Sequence, residues 1–108
     1  MIARTPAPPY YAVIFTSLRT EVVDGYEETA ATMWTLAEKQ PGFLGIESAR
    51  SGLCITVSYW ASLAAIAAWK AQADHMLAQE KGRAQWYSSY VVRVCLVERA
   101  YEFGVVKE

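Results

Sequence analysis

The side chains best suited to chemistry gather between Trp69 and Tyr87, in WKAQADHMLAQEKGRAQWY, which holds the one histidine of the chain and two of its four tryptophans. An imidazole can take a proton from a phenol or support a developing anion, which makes His75 the first candidate. At helical spacing Gln72, His75 and Gln79 share a polar face. The competing reading gives His75 a structural hydrogen bond to backbone or to a dimer partner, with Asp74 as a local contact. Arg83, following Lys81 and Gly82, could anchor an anionic oxygen of a substrate, although a cation beside a helix-ending glycine also simply suits the helix dipole. Trp86 and Tyr87 are neighbours, and strand alternation sends them to opposite faces, one towards a cavity and one towards the core or an interface. Arg93 stands in an apolar strand and, if buried, needs a carboxylate such as Glu47 or Glu98. Met33, Trp34 and Met76 read as core.

Composition removes several classes of partner. Ten basic against eleven acidic side chains leave a formal charge of -1, which offers no electrostatic footprint for nucleic acid or anionic lipid. The hydrophobic content of 54% exceeds the roughly 45–50% of ordinary soluble domains, yet no apolar run is long enough to span a bilayer. An apolar oligomer interface or a lined pocket accounts for the surplus. The start, MIARTPAPPY, lacks the apolar core of a secretory signal and reads as a stiff extended arm over residues 1–9, so a cytoplasmic location is expected. Cys54 and Cys95 lie in strand-like runs and read as small buried hydrophobes of a reducing compartment, with a disulfide or a metal site as the lesser alternatives.

The elements that must position these residues follow from periodicity. Tyr10 to Leu18 is aromatic and β-branched and predicts a first strand. Asp24 with Glu27 three residues on predicts a capping box, and Tyr26, Ala30, Met33 and Ala37 recur at helical spacing up to the stop at Pro41 and Gly42. Phe43 to Arg50 and Leu53 to Trp60 predict a hairpin closed at Ser51 and Gly52, with Leu53, Ile55, Val57 and Tyr59 on one face and Cys54, Thr56, Ser58 and Trp60 on the other. A second helix is expected from near Ser62, its apolar face formed by Leu63, Ile66, Trp69, Ala73 and Met76. Trp86 to Phe103 predicts a long final strand, with residues beyond Glu98 reaching towards a partner. The order β-α-β-β-α-β is that of a ferredoxin-like α+β fold, a four-stranded antiparallel sheet with both helices on one face. The single domain spans residues 10–103, with a tail over 104–108. Because the last strand is apolar on both sides, a second subunit is expected to cover the bare face as a homodimer.

The segments QPGFLGIESAR, ITVSYWASLAAIAAW, DHMLAQEKGRAQWY and RVCLVERAYEF resemble the antibiotic biosynthesis monooxygenase domain family, whose members pair into dimeric α/β barrels. The resemblance extends from about Tyr10 to Phe103. It implies oxidation of a small phenolic, quinol or anthrone-like substrate by dioxygen with no cofactor, since such substrates form an electron-rich anion. His75 would then be the base, with Trp69 and Trp86 walling the substrate ring, Gln79 nearby, and Tyr87 or Arg83 steadying the oxygen anion. No glycine-rich dinucleotide loop, phosphate loop or spaced metal cluster is present in the sequence. The scaffold also hosts heme-degrading relatives. Trp69 matches their porphyrin-side tryptophan, but Gln79 stands where they carry the iron-ligating histidine, and Thr16 or Ser17 stands in place of their first-strand asparagine. A heme role therefore requires His75 as the ligand from a shifted register. A dimer that binds a small molecule without turnover is the remaining alternative.

Overall fold

The structure, a computed structural model, describes residues 1–79 and 85–104, with only the helical backbone for residues 77–79. Its elements run β1 (Tyr10–Arg19), α1 (Tyr26–Glu38), β2 (Phe43–Ser51), β3 (Leu53–Trp60), α2 (Leu63–Gln79) and β4 (Tyr87–Val97). The four strands form one antiparallel sheet in the order β2-β3-β1-β4, the expected ferredoxin-like α+β arrangement.

Alternation assigns the two faces. Trp60 pairs with Tyr11 and Phe43, and Tyr11 in turn with Leu96, so these side chains share the side on which the helices lie. There Trp60, fully buried, packs with Ala37 of α1 and Ile66 of α2, joined by the partly buried Val13, Phe43 and Trp69. The Trp60 indole donates through Nε1 to Ser58 Oγ at 2.8 Å, which removes the cost of burying its one polar atom. α1 packs over β2 and α2 over β3. The helix layer is thus displaced to one half of the sheet, and on the same side Val92, Val94 and Leu96 of β4 remain about half exposed.

The ends of the helices depart in part from expectation. Asp24 does not cap α1: Gly25, in the left-handed region at φ 79°, occupies the N-cap with no side-chain bond, and the Asp24 carbonyl instead accepts from the Trp86 indole at 2.9 Å. The acidic pair Glu27 and Glu28 in the first turn still complements the helix dipole. α2 is capped by Ser62, whose Oγ accepts from the Ala65 amide at 3.1 Å. Gly42 is required at the turn into β2, because it has φ 86° and a Cβ there would lie 2.7 Å from Ala65 Cβ. Two apolar side chains expected in the core are exposed, Trp34 at 39% and Leu63 at 55%. Leu63 is the first residue of α2, and Trp34 stands one turn before the buried Ala37, beyond the edge of the helix–sheet contact.

The other face of the sheet is not wholly bare. The amino-terminal arm lies back over it instead of standing off: Ala3 donates its amide to Glu47 Oε2 at 2.8 Å, and Thr5 Oγ1 donates to the Tyr10 hydroxyl at 2.9 Å. Glu47 also accepts from the Tyr59 hydroxyl at 2.5 Å. Burial, and next the Glu47 carboxylate bonded to it, push the Tyr59 phenol well above its ordinary pKa. Beyond the arm, Leu18, Leu53, Ile55 and Val91 form an exposed apolar patch on this open face. Cys54 and Cys95 are free and half-buried. They lie on opposite faces, since Cys54 pairs with Ser17 and Cys95 with Ala12. No helix among the described residues is long and apolar enough to cross a membrane.

Candidate functional site

The final strand is shorter than its pattern implies. It begins at Tyr87 and ends at Val97, so Trp86 precedes it and residues 98–103 follow it as irregular chain. Between Leu18 and Arg19 the β1–β4 register shifts, Leu18 facing Ser89 and Arg19 facing Tyr87, which leaves Ser88 as an extra residue. A bulge of this kind reverses alternation locally. Without it Tyr87 would face away from Tyr90. With it both phenols lie on the helix side, where Phe15 meets Tyr87 at 5.5 Å and Tyr90 at 5.1 Å between ring centroids.

The expectation that Trp86 and Tyr87 part to opposite faces fails because Trp86 precedes β4, where strand alternation does not apply. Both rings meet Tyr26 at the start of α1, Trp86 at 5.7 Å and Tyr87 at 6.2 Å, each edge to face. Trp86 is 2% exposed and forms the floor beneath the turn before α1. Arg19 closes the cluster. Its guanidinium lies 3.2 Å from the centre of the Tyr26 ring, while its Nε donates to the Trp86 carbonyl at 3.1 Å and its terminal nitrogen to that of Val22 at 3.2 Å. A cation over a ring face gains from the ring quadrupole. Thr20 adds backbone and hydroxyl bonds to the same segment, to Trp86 and Gln85.

This setting fixes the chemistry of Tyr87. Burial is the largest influence on its phenol, followed by Tyr26, and together they raise its pKa well above the usual value although Arg19 pulls the other way. The raised value favours the neutral phenol, which is hydrogen-bonded with Tyr26.

The remaining sequence candidates are spread more widely. Trp69 stacks on Trp60 at 6.3 Å with 22° between planes, so it belongs to the core under α2 and not to the ring cluster. His75 is exposed on α2, and Asp74, its expected local contact, is bonded by Lys70 at 2.6 Å. Gln72 exchanges amide hydrogen bonds with Gln40 at the end of α1. Gln79 ends α2, with its side chain outside the described ones, and Arg83 lies outside the described residues. Arg93 is exposed on the open face; burial therefore demands no partner for it within one chain, and Glu47 is taken by Tyr59 and Ala3. Two open concavities lie along α1, around Ala31 and Leu36 and around Gly25 and Thr29, and neither reaches Tyr87 or His75. No group of metal-ligating side chains occurs among the described residues.

Sequence reasoning missed Phe15, Arg19, Tyr26 and Tyr90. Phe15 and Tyr90 were legible only as strand residues. A bulge of one residue, which brings Tyr87 to them, has no signal in a single sequence.

Comparison with known proteins identifies the scaffold. The profile of the antibiotic biosynthesis monooxygenase family matches residues 9–81, and 100 residues are 55% identical to the uncharacterized protein YqjZ of Bacillus subtilis, covering 91% of this chain and 88% of that one. The chain belongs to the antibiotic biosynthesis monooxygenase family. Solved structures share its fold at low identity. A protein of unknown function from Nitrosomonas europaea superimposes with a TM-score of 0.69 at 14% identity, over 90% of this chain and 97% of that chain. SnoaB from Streptomyces nogalater, a cofactor-independent oxygenase, superimposes with a TM-score of 0.65 at 14% identity, over 91% and 100% respectively. Family membership and this fold support a general monooxygenase role for the scaffold.

Proposed function

We propose that the protein is a cytoplasmic, homodimeric, cofactor-independent monooxygenase that oxidises a small phenolic, quinol or anthrone-like substrate with dioxygen. The observation that carries this reading is the bulge-placed Tyr87, set in a cluster of aromatic rings with Phe15, Tyr26 and Tyr90 and bordered by Arg19. Flat apolar walls suit an aromatic substrate, and a fixed neutral phenol suits the oxygen anion that forms when such a substrate loses a proton. His75, carried on α2, is assigned as the base that takes that proton. For an anthrone, the carbanion transfers electrons to dioxygen, a carbon-bound peroxide forms, and loss of water leaves a ketone: one oxygen atom enters the product and the other leaves as water. The apolar patch of Leu18, Leu53, Ile55 and Val91 supports pairing of two copies through the open sheet face.

Oxygen uptake with a panel of anthrones and quinols, without added metal or flavin, tests the assignment. Turnover is expected, with a loss of about 10²-fold or more in kcat for Tyr87→Phe and for His75→Ala. Absence of uptake across the panel overturns it. The exposure of His75 favours a second reading, a dimer that binds an aromatic molecule without turning it over. Ligand-induced quenching of Trp86 fluorescence with no oxygen consumed selects that reading.

A further inference from the structure

Arg19 carries a charge that the fold positions but does not neutralise. It ends β1 on the helix side, in the row of Val13, Phe15 and Ser17, and the register shift sets it opposite Tyr87. One face of its guanidinium rests on the Tyr26 ring, and two of its donors go to the carbonyls of Trp86 and Val22. The rest of the planar fork still has donors to give. Among the described residues no carboxylate pairs with it: Glu27 lies against Arg50 at 3.8 Å, and Asp74 against Lys70.

The Arg19 side chain is half-buried. A cation that has lost part of its hydration without gaining an opposite charge is a costly arrangement for one chain. An incoming carboxylate restores the balance and makes the flat, charge-assisted contact for which a guanidinium is shaped. The contacts to Tyr26, Trp86 and Val22 already hold the side chain still, so little ordering entropy opposes that contact.

Aromatic surface begins where the cation ends. Tyr26 meets Tyr87 at 6.2 Å, and Tyr87 leads on to Phe15 at 5.5 Å and to Tyr90 at 5.6 Å. All four rings are half-buried, so each keeps surface for a ligand. A small inorganic anion would meet Arg19 and leave the rings unused, whereas a neutral aromatic molecule would do the reverse. A carboxylate joined to an aromatic ring matches both.

We infer that Arg19 anchors a carboxylate carried by an aromatic ligand, whose ring lies along Phe15, Tyr87 and Tyr90. This names the substrate class of the site proposed above and rests on that reading. The anchored carboxylate is not the reacting group. It is held alike before and after the substrate loses its proton, so Arg19 contributes to binding and not to the chemical step.

Calorimetric titration of the full chain with naphthoate, and with naphthamide as a neutral molecule of nearly the same shape, tests the anchor. Naphthoate is expected to bind at least about tenfold more tightly, and Arg19→Gln to remove the difference. Equal affinities in the unchanged protein, binding of neither molecule, or a preference that survives Arg19→Gln overturns the inference. Because Arg19→Gln also gives up the hold on Tyr26, a second measurement uses the unchanged chain. In heteronuclear N–H spectra naphthoate is expected to shift the Arg19 Nε–H signal far more than naphthamide does, and a signal left in place by bound naphthoate overturns the inference. Oxygen uptake on neutral anthrones with no preference for naphthoate defeats the anchor alone. Preferential naphthoate binding with no uptake across the panel defeats the catalytic reading alone.

Discussion

Replacing Trp60 gives the sharpest test of how the sheet and helices are held together. Trp60 is fully buried, stacks on Trp69, meets Phe43 edge to face at 5.5 Å and spends its single donor on Ser58. Trp60→Ala removes the side chain that touches both helices, and large-to-small changes of this kind cost about 3–5 kcal/mol. For a domain of this size, that is a large part of a total stability of roughly 5–15 kcal/mol. Trp60→Phe keeps a ring but leaves the buried Ser58 hydroxyl without its donor, a cost of about 1–3 kcal/mol. Adding Ser58→Ala to Trp60→Phe removes the stranded partner, so the double variant is expected to recover about 1 kcal/mol relative to Trp60→Phe alone. Urea unfolding followed by far-ultraviolet circular dichroism, at one fixed protein concentration because a dimer couples stability to concentration, measures all three. A Trp60→Ala loss below about 1 kcal/mol, or a double variant less stable than Trp60→Phe, refutes the packing and hydrogen-bond argument.

Three other outcomes are expected. Tyr59 and Tyr87 stay protonated where exposed phenols ionise, so phenolate absorbance at about pH 11 falls short of seven tyrosines, and Tyr87→Phe leaves that absorbance unchanged. The folded pKa of each lies above its unfolded value; the stability they contribute is therefore complete below about pH 10 and declines as pH rises towards the folded values, which unfolding at a series of alkaline pH values checks. Gly42→Ala meets both φ 86° and the Ala65 methyl, costing about 2–4 kcal/mol, whereas Gly52→Ala has open space at φ 77° and costs about 1–2 kcal/mol; thermal unfolding ranks them. Glu47→Ala frees the arm from its anchor and speeds trypsin cleavage after Arg4 by about tenfold, with equal rates counting against the arm contact.

The reach of the sequence can be judged strand by strand. The alternation of β3 was legible because its pleat separates Trp60 from Tyr59 without interruption, and the hairpin at Gly52 and the start of α2 at Ser62 followed from local turn and cap chemistry. Asp24 misled, because a capping side chain competes with a left-handed glycine one residue later, and the Trp86 indole settles that competition from 62 residues away. For Trp69, helical periodicity places the ring on the apolar side of α2 but does not encode its stacking partner, Trp60. The ring cluster was hidden for a different reason: Phe15, Arg19, Tyr26 and Tyr87 come together only through the register of β1 with β4, which no local pattern encodes. His75, the most conspicuous residue in the sequence, stands exposed on α2.

The displaced helix layer divides labour between strands. β2 and β3 lie beneath the helices and hold the molecule together, while β4 stands clear of the packed interior along most of its length. Changes at Val92 or Val94 thus meet little of the resistance that a tight interior imposes. A lineage built on this frame is free to reshape what it recognises while leaving its foundation untouched.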